Sequence, residues 1–336
     1  KVVASFETRR ESIARALDGA AHKAGEGVRW DLGKSVELVE EVTSIVEWPV
    51  VMTGGFDKAF LEVPKECLVI SMQQHQKYFP LADKEGKLLP RFLFVSNMKA
   101  ANPKEIVHGN ERVLRARLAD ARFFYDQDRR QRLDARLPKL RAVVYHNKLG
   151  SQAERIDRLR FLAAEIAKLV GADAAHADRA AGLAKADLVT EMVGEFPELQ
   201  GLMGRYYAEH DGEPADVAAA VEQHYWPRFA GDALPGGPIA EAVALADKLE
   251  TMAGMFGIGN LPTGDKDPFG LRRAALGVLR IVVEKQLALP LPDLLDLAFK
   301  AFDGIAAVKP DAPALATFLY DRLRGYLRDL GYSANQ

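Results

Sequence analysis

The feature that most constrains this chain is a change in sequence period near residue 103. Before it, short apolar runs bounded by Gly, Pro and Asp alternate with amphipathic segments; after it, no convincing strand pattern occurs. Runs of the first kind are typical of strands, and apolar residues at every third or fourth position indicate helices. We therefore predict an α+β domain over residues 1–140, ending in a long basic helix, and an all-α domain over 141–336.

The elements expected within these domains follow the same patterns. The α+β domain is predicted to open with helices at 4–24 and 31–47, and Asp31 is the candidate N-cap of the second. A short helix is expected near 58–63. Strands are predicted at 50–56, 67–72, 78–83 and 91–97. The later helices are predicted at 103–137, 151–170, 173–194, 198–209, 214–223, 237–256, 267–287, 291–302 and 312–331.

Composition narrows the functional classes. Cys67 is the only cysteine, so no intramolecular disulfide and no cysteine-based zinc site can form. Because every apolar run is interrupted well before the roughly 20 residues that a bilayer span needs, we expect a cytoplasmic protein without a membrane partner. The chain begins at Lys1 rather than Met and runs directly into a helical pattern, which we interpret as a piece of a longer polypeptide.

Positive charge is concentrated in one part of the chain. The net charge is −2, yet residues 71–141 hold 16 Lys and Arg against 8 Asp and Glu. Residues 111–141, which include most of the predicted long helix, hold 10 Lys and Arg against 5 Asp and Glu. The last four candidate arginines are seven residues apart, which places them on one side of a helix. Arginine pairs bidentately with phosphate, so an RNA backbone is a candidate partner; a solvated face paired with nearby aspartates would show the same pattern. The candidate RNA-binding residues are Arg112, Arg115, Arg122, Arg129 and Arg136.

A second set of residues suggests a metal site that has lost a ligand. His146, Asp187 and Asp247 resemble the ligands of the HD superfamily of metal-dependent phosphohydrolases, which also require a His immediately before the first Asp. That position is Ala186 here. An open site of this kind depends on the missing imidazole to fix the metal and its water, so we predict a degenerate HD site without a bound metal. The two aspartates are then expected to cap helices and accept hydrogen bonds.

Several longer segments carry a more specific resemblance. They are similar to the β subunit of bacterial heterotetrameric glycyl-tRNA synthetase, in the same order along the chain. The resemblance implies a central fragment with a B3/B4-like α+β region and an HD-like helical domain, without the C-terminal anticodon-binding region. The segments are EVTSIVEWPVVMTGGFD, FLEVPKECLVISMQQHQKYFPL, FLFVSNM, GNERVLRARLADARFFY, KADLVTEMVGEFPELQG, RYYAEHDGE and GIGNLPTGDKDPFGLRRAALGVLRI.

The resemblance also implies a function, glycine–tRNA ligation. The whole enzyme would join glycine to tRNA-Gly with ATP and magnesium, at an adenylate site in the catalytic α subunit of an α2β2 assembly. The sequence shows no Walker motif and no other ATP-binding pattern, so we expect this fragment to bind no cofactor, to hold no catalytic residue and to be inactive alone. Its expected contributions are tRNA binding and assembly with the α subunit.

Three different functions are compatible with parts of the same sequence. B3/B4-like regions in related enzymes hydrolyse mischarged tRNA, but every competing natural amino acid is larger than glycine and can be rejected by steric clash. We therefore expect binding rather than editing. A second possibility is an HD-type metal-dependent phosphohydrolase acting on nucleotides, and a third is a scaffold that contacts only the α subunit.

Overall fold

The computed structural model describes residues 2–332. Their contacts divide the chain into two compact units, the first ending at Gln127 and the second beginning at Asp128. The sequence pattern predicted this boundary after residue 140. In the structure, residues 128–140 lie with the helical unit rather than with the α+β unit. Leu133 and Leu140 are buried, and the Asp128 carboxylate accepts a hydrogen bond from the Met192 N–H, which holds this segment in the second unit.

Two helices open the first unit, as predicted. Helix α1 (Phe6–Ala24) begins at Ser5, whose hydroxyl accepts a hydrogen bond from the backbone of Thr8. Helix α2 (Ser35–Ile45) follows without a side-chain cap, so the predicted cap at Asp31 is wrong. The helix starts a full turn later than its apolar pattern suggested. A 3-10 helix over Lys58–Glu62 occupies the place of the predicted short helix.

The sheet of the first unit has three antiparallel strands. Strands β1 (Val50–Gly55) and β2 (Phe79–Ala82) both pair with the central strand β3 (Leu88–Ser96). The apolar sides of α1 and α2 share one core with β2 and β3, which confirms that this part of the chain is α+β. Its main buried members are Ile13, Leu17, Leu38, Val42, Phe79, Leu81 and Leu93.

The strand predicted over 67–72 is wrong. Helix α3 covers Lys65–Ile70, and a π-helical turn continues it over Ser71–His75. Buried residues at 67, 68, 71 and 72 follow the helical repeat rather than the alternation of a strand. A short run of Leu, Val and Ile does not by itself distinguish a buried strand from a buried helix, and burial on one helical face settles this case.

The long basic helix is shorter than predicted. Helix α4 covers Pro103–Asp128, and a separate 3-10 helix covers Asp134–Ala142. Residues after Asp128 therefore do not continue the helical axis. A two-strand ribbon, β4 (Val144–His146) and β5 (Gly150–Ser151), follows, although no strand was expected after residue 103.

The second unit is otherwise helical, as predicted. Helix α10 is buried along almost its whole length and packs against α5, α6, α9, α11, α12 and α13, so it forms the centre of this unit. No helix within residues 2–332 is long and apolar enough to cross a membrane. The helices are α5 (Gln152–Leu169), α6 (Ala174–Leu183), α7 (Glu191–Glu195), α8 (Leu202–His210), α9 (Ala215–Gln223), α10 (Pro238–Gly257), α11 (Leu271–Glu284), α12 (Leu291–Lys300) and α13 (Ala312–Asp329).

The helix predicted over 173–194 is broken into three. Helix α6 ends at Leu183, a 3-10 turn covers Ala186–Val189, and α7 starts after Thr190. The Thr190 hydroxyl donates to the Asp187 carbonyl and accepts from the Val193 N–H, so it ends the turn and caps the next helix. This break removes Asp187 from a regular helix.

Candidate functional site

The middle of α4 presents three exposed guanidinium groups. Arg112, Arg115 and Arg117 are exposed, whereas Leu114 and Leu118 are completely buried. Within residues 2–332 none of these three arginines has an ion-pair partner. They are therefore available to an anion in solvent. Arg117 was not among the candidates, which were Arg112 and the four arginines spaced seven residues apart.

Two of the remaining candidate arginines, Arg122 and Arg129, are half-buried rather than exposed. Arg122 is half-buried and pairs with Glu62 at 2.9 Å and Asp126 at 3.7 Å, which ties α4 to the preceding 3-10 helix. Arg129 follows the last residue of α4 and is half-buried. The four-arginine stripe with a seven-residue spacing is therefore not a continuous exposed surface.

The assignment of Arg136 to that stripe is wrong. Its side chain is buried in the second unit, in the 3-10 helix that follows α4. The guanidinium donates a hydrogen bond to the Asp128 carbonyl at 2.7 Å and lies 3.5 Å from a carboxylate oxygen of the same residue. The guanidinium therefore stabilises the turn after α4 and is not exposed to a partner in solvent.

The second unit contains a buried cluster of charged side chains around Asp247 of α10. One carboxylate oxygen of Asp247 lies 3.0 Å from the ammonium of Lys185 and 3.0 Å from the guanidinium of Arg155. Arg155 also pairs with the buried Glu250 at 3.0 Å, and Arg158 pairs with Glu250 at 2.8 Å. A charged run inside an otherwise apolar helix is the sequence signal for this cluster, which the motif-based prediction missed.

A buried histidine completes this arrangement. His224 Nδ1 lies 2.7 Å from the Val221 carbonyl, so this nitrogen carries the proton and donates. Its Nε2 therefore accepts from the Lys185 ammonium, 2.8 Å away. Burial, reinforced by the charge of Lys185, holds the pKa of His224 well below its usual value. The ring is neutral and serves as an acceptor.

The cluster also shifts the pKa values of Lys185 and Asp247. Burial lowers the pKa of Lys185 to about 8, against the opposing attraction of Asp247. Burial alone would raise the pKa of Asp247, but the charges of Lys185 and Arg155 outweigh it and hold this pKa well below its usual range. At neutral pH the cluster is thus an ionised pair beside a neutral imidazole.

The three residues of the degenerate HD site are not assembled as metal ligands. Asp187 accepts hydrogen bonds from the N–H groups of Gly201 at 2.6 Å and Gly204 at 3.0 Å. His146 Nδ1 accepts from the backbone of Lys148, and its Nε2 lies 3.4 Å from the Asn260 amide nitrogen. Across the part of the chain that the structure describes, no three His, Cys, Asp or Glu side chains are placed to hold a metal ion. The residues present therefore do not fit a catalytic HD metal centre.

Comparison with known proteins assigns the chain to a class of protein. The family model described as glycyl-tRNA synthetase beta subunit matches residues 1–336, and the chain belongs to this family, a component of an aminoacyl-tRNA synthetase. This confirms the resemblance to the glycyl-tRNA synthetase β subunit that the sequence segments showed.

Three relatives with the same name show which subunit this chain is similar to. Each is named glycine–tRNA ligase beta subunit, and 47% of its length is covered in each case. The protein of Ralstonia nicotianae is 56% identical over all of this chain, that of Neisseria meningitidis serogroup C is 58% identical over 98% of it, and that of Paracidovorax citrulli is 57% identical over all of it. The chain thus spans about half the length of the curated relatives it matches.

Proposed function

We propose that this chain acts as a tRNA-binding part of glycine–tRNA ligase, which joins glycine to tRNA-Gly with ATP in the cytoplasm. Its other contribution is assembly with a catalytic α subunit as α2β2, where ATP and magnesium would be used. Family membership supports this proposal, as does the name glycine–tRNA ligase beta subunit shared by the relatives. We also interpret the first unit as B3/B4-like and the second as HD-like, in agreement with their α+β and helical content.

The observation that carries the proposal is the set of unpaired guanidinium groups on α4. Arg112 and Arg115 are one helical turn apart, about 4.5 Å along the axis at 1.5 Å per residue. Charge-assisted hydrogen bonds from guanidinium to phosphate are among the strongest polar contacts in proteins. Because RNA duplexes are recognised largely through phosphates and 2′-hydroxyls, such a helix can bind tRNA without reading a base.

The structure favours this function over nucleotide hydrolysis. One oxygen of Asp247 faces Lys185 and Arg155 and one of Asp187 accepts from backbone N–H groups, and neither aspartate belongs, within the described residues, to a metal-binding position with other ligands. A metal-dependent phosphohydrolase needs such a position to activate water. These aspartates therefore do not support metal-dependent hydrolysis, and tRNA binding remains the function that we propose.

The test is charge reversal on α4 in the complete α/β enzyme. Arg112→Glu combined with Arg115→Glu should weaken tRNA binding and flatten its dependence on salt, because fewer counterions are released from the phosphates. Adenylate formation should be unchanged. The matched control is Arg15→Glu with Lys23→Glu, which makes the same charge change on exposed positions of α1 in the same unit.

Two outcomes would contradict the proposal. In one, tRNA affinity and salt slope stay the same in the α4 variant. In the other, the α4 variant loses the α subunit while the control keeps it, which would make α4 an assembly contact. The purified chain alone should catalyse no ATP–pyrophosphate exchange, since the adenylate site is proposed to lie in the α subunit.

A further inference from the structure

A cleft in the second unit combines positive charge with exposed aromatic surface. Its volume is ≈ 610 Å³, within the range of about 300–1,000 Å³ that is usual for small-molecule sites. It lies between α10 and the start of α11, beside the buried charge cluster. The residues that matter for its chemistry are Tyr225, Arg228, Lys248, Phe269 and Arg273.

The cations of this cleft outweigh its acids. Arg273 is exposed and has no ion-pair partner among residues 2–332, and Arg228 is exposed and lies 3.6 Å from Asp232. Two carboxylates also line the cleft, Glu198 and Asp247. The charge of Asp247 is already offset by Lys185 and Arg155, so it contributes little negative potential to the opening.

Lys248 supplies a third cation at the wall of the cleft. Its ammonium donates to the carbonyls of Trp226 at 2.8 Å and His224 at 3.3 Å. An ammonium has three N–H donors, so one remains for a ligand. No carboxylate within the described residues lies within ion-pair distance of Lys248. Lys248 is buried, and burial lowers its pKa to about 8 against the attraction of Asp247, so its charge is only partly offset before an anion enters the cleft.

The aromatic part of the cleft lies next to these cations. Phe269 is exposed and comes immediately before Gly270, the N-cap of α11. The Asp267 carboxylate accepts from the N–H groups of Leu271 and Arg272, so the backbone at this helix start is already satisfied. An anion here would therefore bind to the side chains of Arg273 and Lys248, with Phe269 beside it as a stacking surface.

We propose that this cleft binds the phosphorylated nucleotide unit of a mononucleotide or a single-stranded RNA, without a metal ion. The phosphate would pair with Arg273 and Lys248, and the base would stack on Phe269. Aromatic rings accept any base in this way, and arginine adds charge-assisted contacts. This site is separate from the arginines of α4 and does not depend on their role in tRNA binding.

The experiment is calorimetric titration of the 336-residue chain with three probes, each with and without EDTA. The probes are AMP, inorganic phosphate and a single-stranded triadenylate. AMP should bind saturably and at least about tenfold more tightly than phosphate, because phosphate lacks the stacking contact. If triadenylate binds more tightly than AMP, the ligand of the cleft is a single-stranded RNA. If the two bind equally, the ligand is a mononucleotide.

Variants assign the binding to the cleft. Arg273→Ala should weaken AMP binding by about tenfold or more, the expected loss for a charge-assisted contact. Phe269→Ala should reduce the preference for AMP over phosphate. The matched control is Arg324→Ala, an exposed arginine of α13 outside the cleft, which should leave AMP binding unchanged. Arg112→Glu with Arg115→Glu should also leave it unchanged, which separates this test from that of the proposed function.

Three results would overturn the proposal. They are the absence of saturable AMP binding, AMP binding that is the same in the Arg273 variant as in the original chain, and AMP binding that disappears in EDTA. Equal affinities for phosphate and AMP would likewise overturn it, because the site would then recognise an anion rather than a nucleotide.

Discussion

The ammonium of Lys185 lies 3.0 Å from a carboxylate oxygen of Asp247, with side-chain exposures of only 3% and 13%. Removing one partner of a buried ion pair typically costs about 3–5 kcal/mol, and here Asp247 would keep Arg155 as its only ion-pair partner within the described residues. We therefore expect Lys185→Met to lower the free energy of unfolding by about that amount, measured by urea denaturation near pH 7.

The control for this prediction is another lysine pair in the same unit. Lys168 lies 2.6 Å from Glu165 on α5, but both side chains are substantially exposed. Exposed pairs contribute at most about 1 kcal/mol, so Lys168→Met should have a small effect. Equal losses in the two variants would show that burial does not decide the importance of the Lys185 pair. The double variant Lys185→Met with Asp247→Asn should lose less stability than the sum of the two single variants, because both single variants remove the same pair.

Asp187 makes the stability of the second unit depend on pH. Its carboxyl is completely buried, and burial raises its pKa to about 6 despite the hydrogen bonds from Gly201 and Gly204. The native state therefore holds this proton more tightly than the unfolded chain, where the pKa is about 3.9. The resulting stabilisation is fully present below about pH 4 and is lost as pH rises through about 6.

The variant Asp187→Asn isolates this contribution because it cannot ionise. The stability of the original chain relative to this variant should fall by at most about 3 kcal/mol between pH 4 and pH 7, measured by urea unfolding at several pH values. Asp293→Asn, at an exposed position of α12, is the matched control. A difference between the original chain and Asp187→Asn that stays constant with pH would refute the raised pKa.

Arg136 and Arg115 belong to the same sequence pattern but should behave differently when truncated. Arg136 is buried and bonded to the Asp128 carbonyl, so Arg136→Ala should destabilise the protein by about 2–4 kcal/mol. Arg115 is exposed, so Arg115→Ala should change stability by less than about 0.5 kcal/mol. Thermal unfolding of the two variants checks this, and a stable Arg136→Ala protein would contradict the structural role of that residue.

The same pair of arginines shows what sequence alone could and could not predict. The amphipathic helices α1 and α4 were predictable because their buried residues recur with the local helical period. The end of α4 was not, because it depends on distant partners of Asp128. Its carboxylate accepts from the backbone of Glu191 and Met192 and from the Tyr207 hydroxyl, 63 to 79 residues away in sequence.

The buried charge cluster shows a similar limit. The sequence singled out Asp187 and Asp247 through their resemblance to an HD site, but not the cations that accompany Asp247. Arg155 and Lys185 lie 92 and 62 residues before Asp247 in the chain and meet it only because α5 and the α6 end pack against α10. Sequence therefore located the aspartates, whereas the folded packing determines that they face donors rather than a metal.

Gly54 should tolerate no side chain, whereas Gly19 should benefit from one. Gly54 lies opposite Phe92 in the sheet, and a Cβ added there would lie 2.5 Å from the Phe92 ring. That ring is buried and stacks on Tyr78 with a centroid distance of 4.7 Å, so it cannot move away freely. Gly54→Ala should therefore destabilise the first unit by about 1–3 kcal/mol, the usual cost of overpacking.

Gly19 provides the matched control for the same chemical change. It lies inside α1, where an added Cβ would meet nothing within 4 Å. Alanine in a helix interior is favoured over glycine, so Gly19→Ala should stabilise the protein by about 0.5–1 kcal/mol. Urea unfolding of both variants measures the two effects with opposite signs. If Gly54→Ala were as stable as the original chain, the Phe92 ring would have to shift within the core, and the close packing of β1 against β3 would not be rigid.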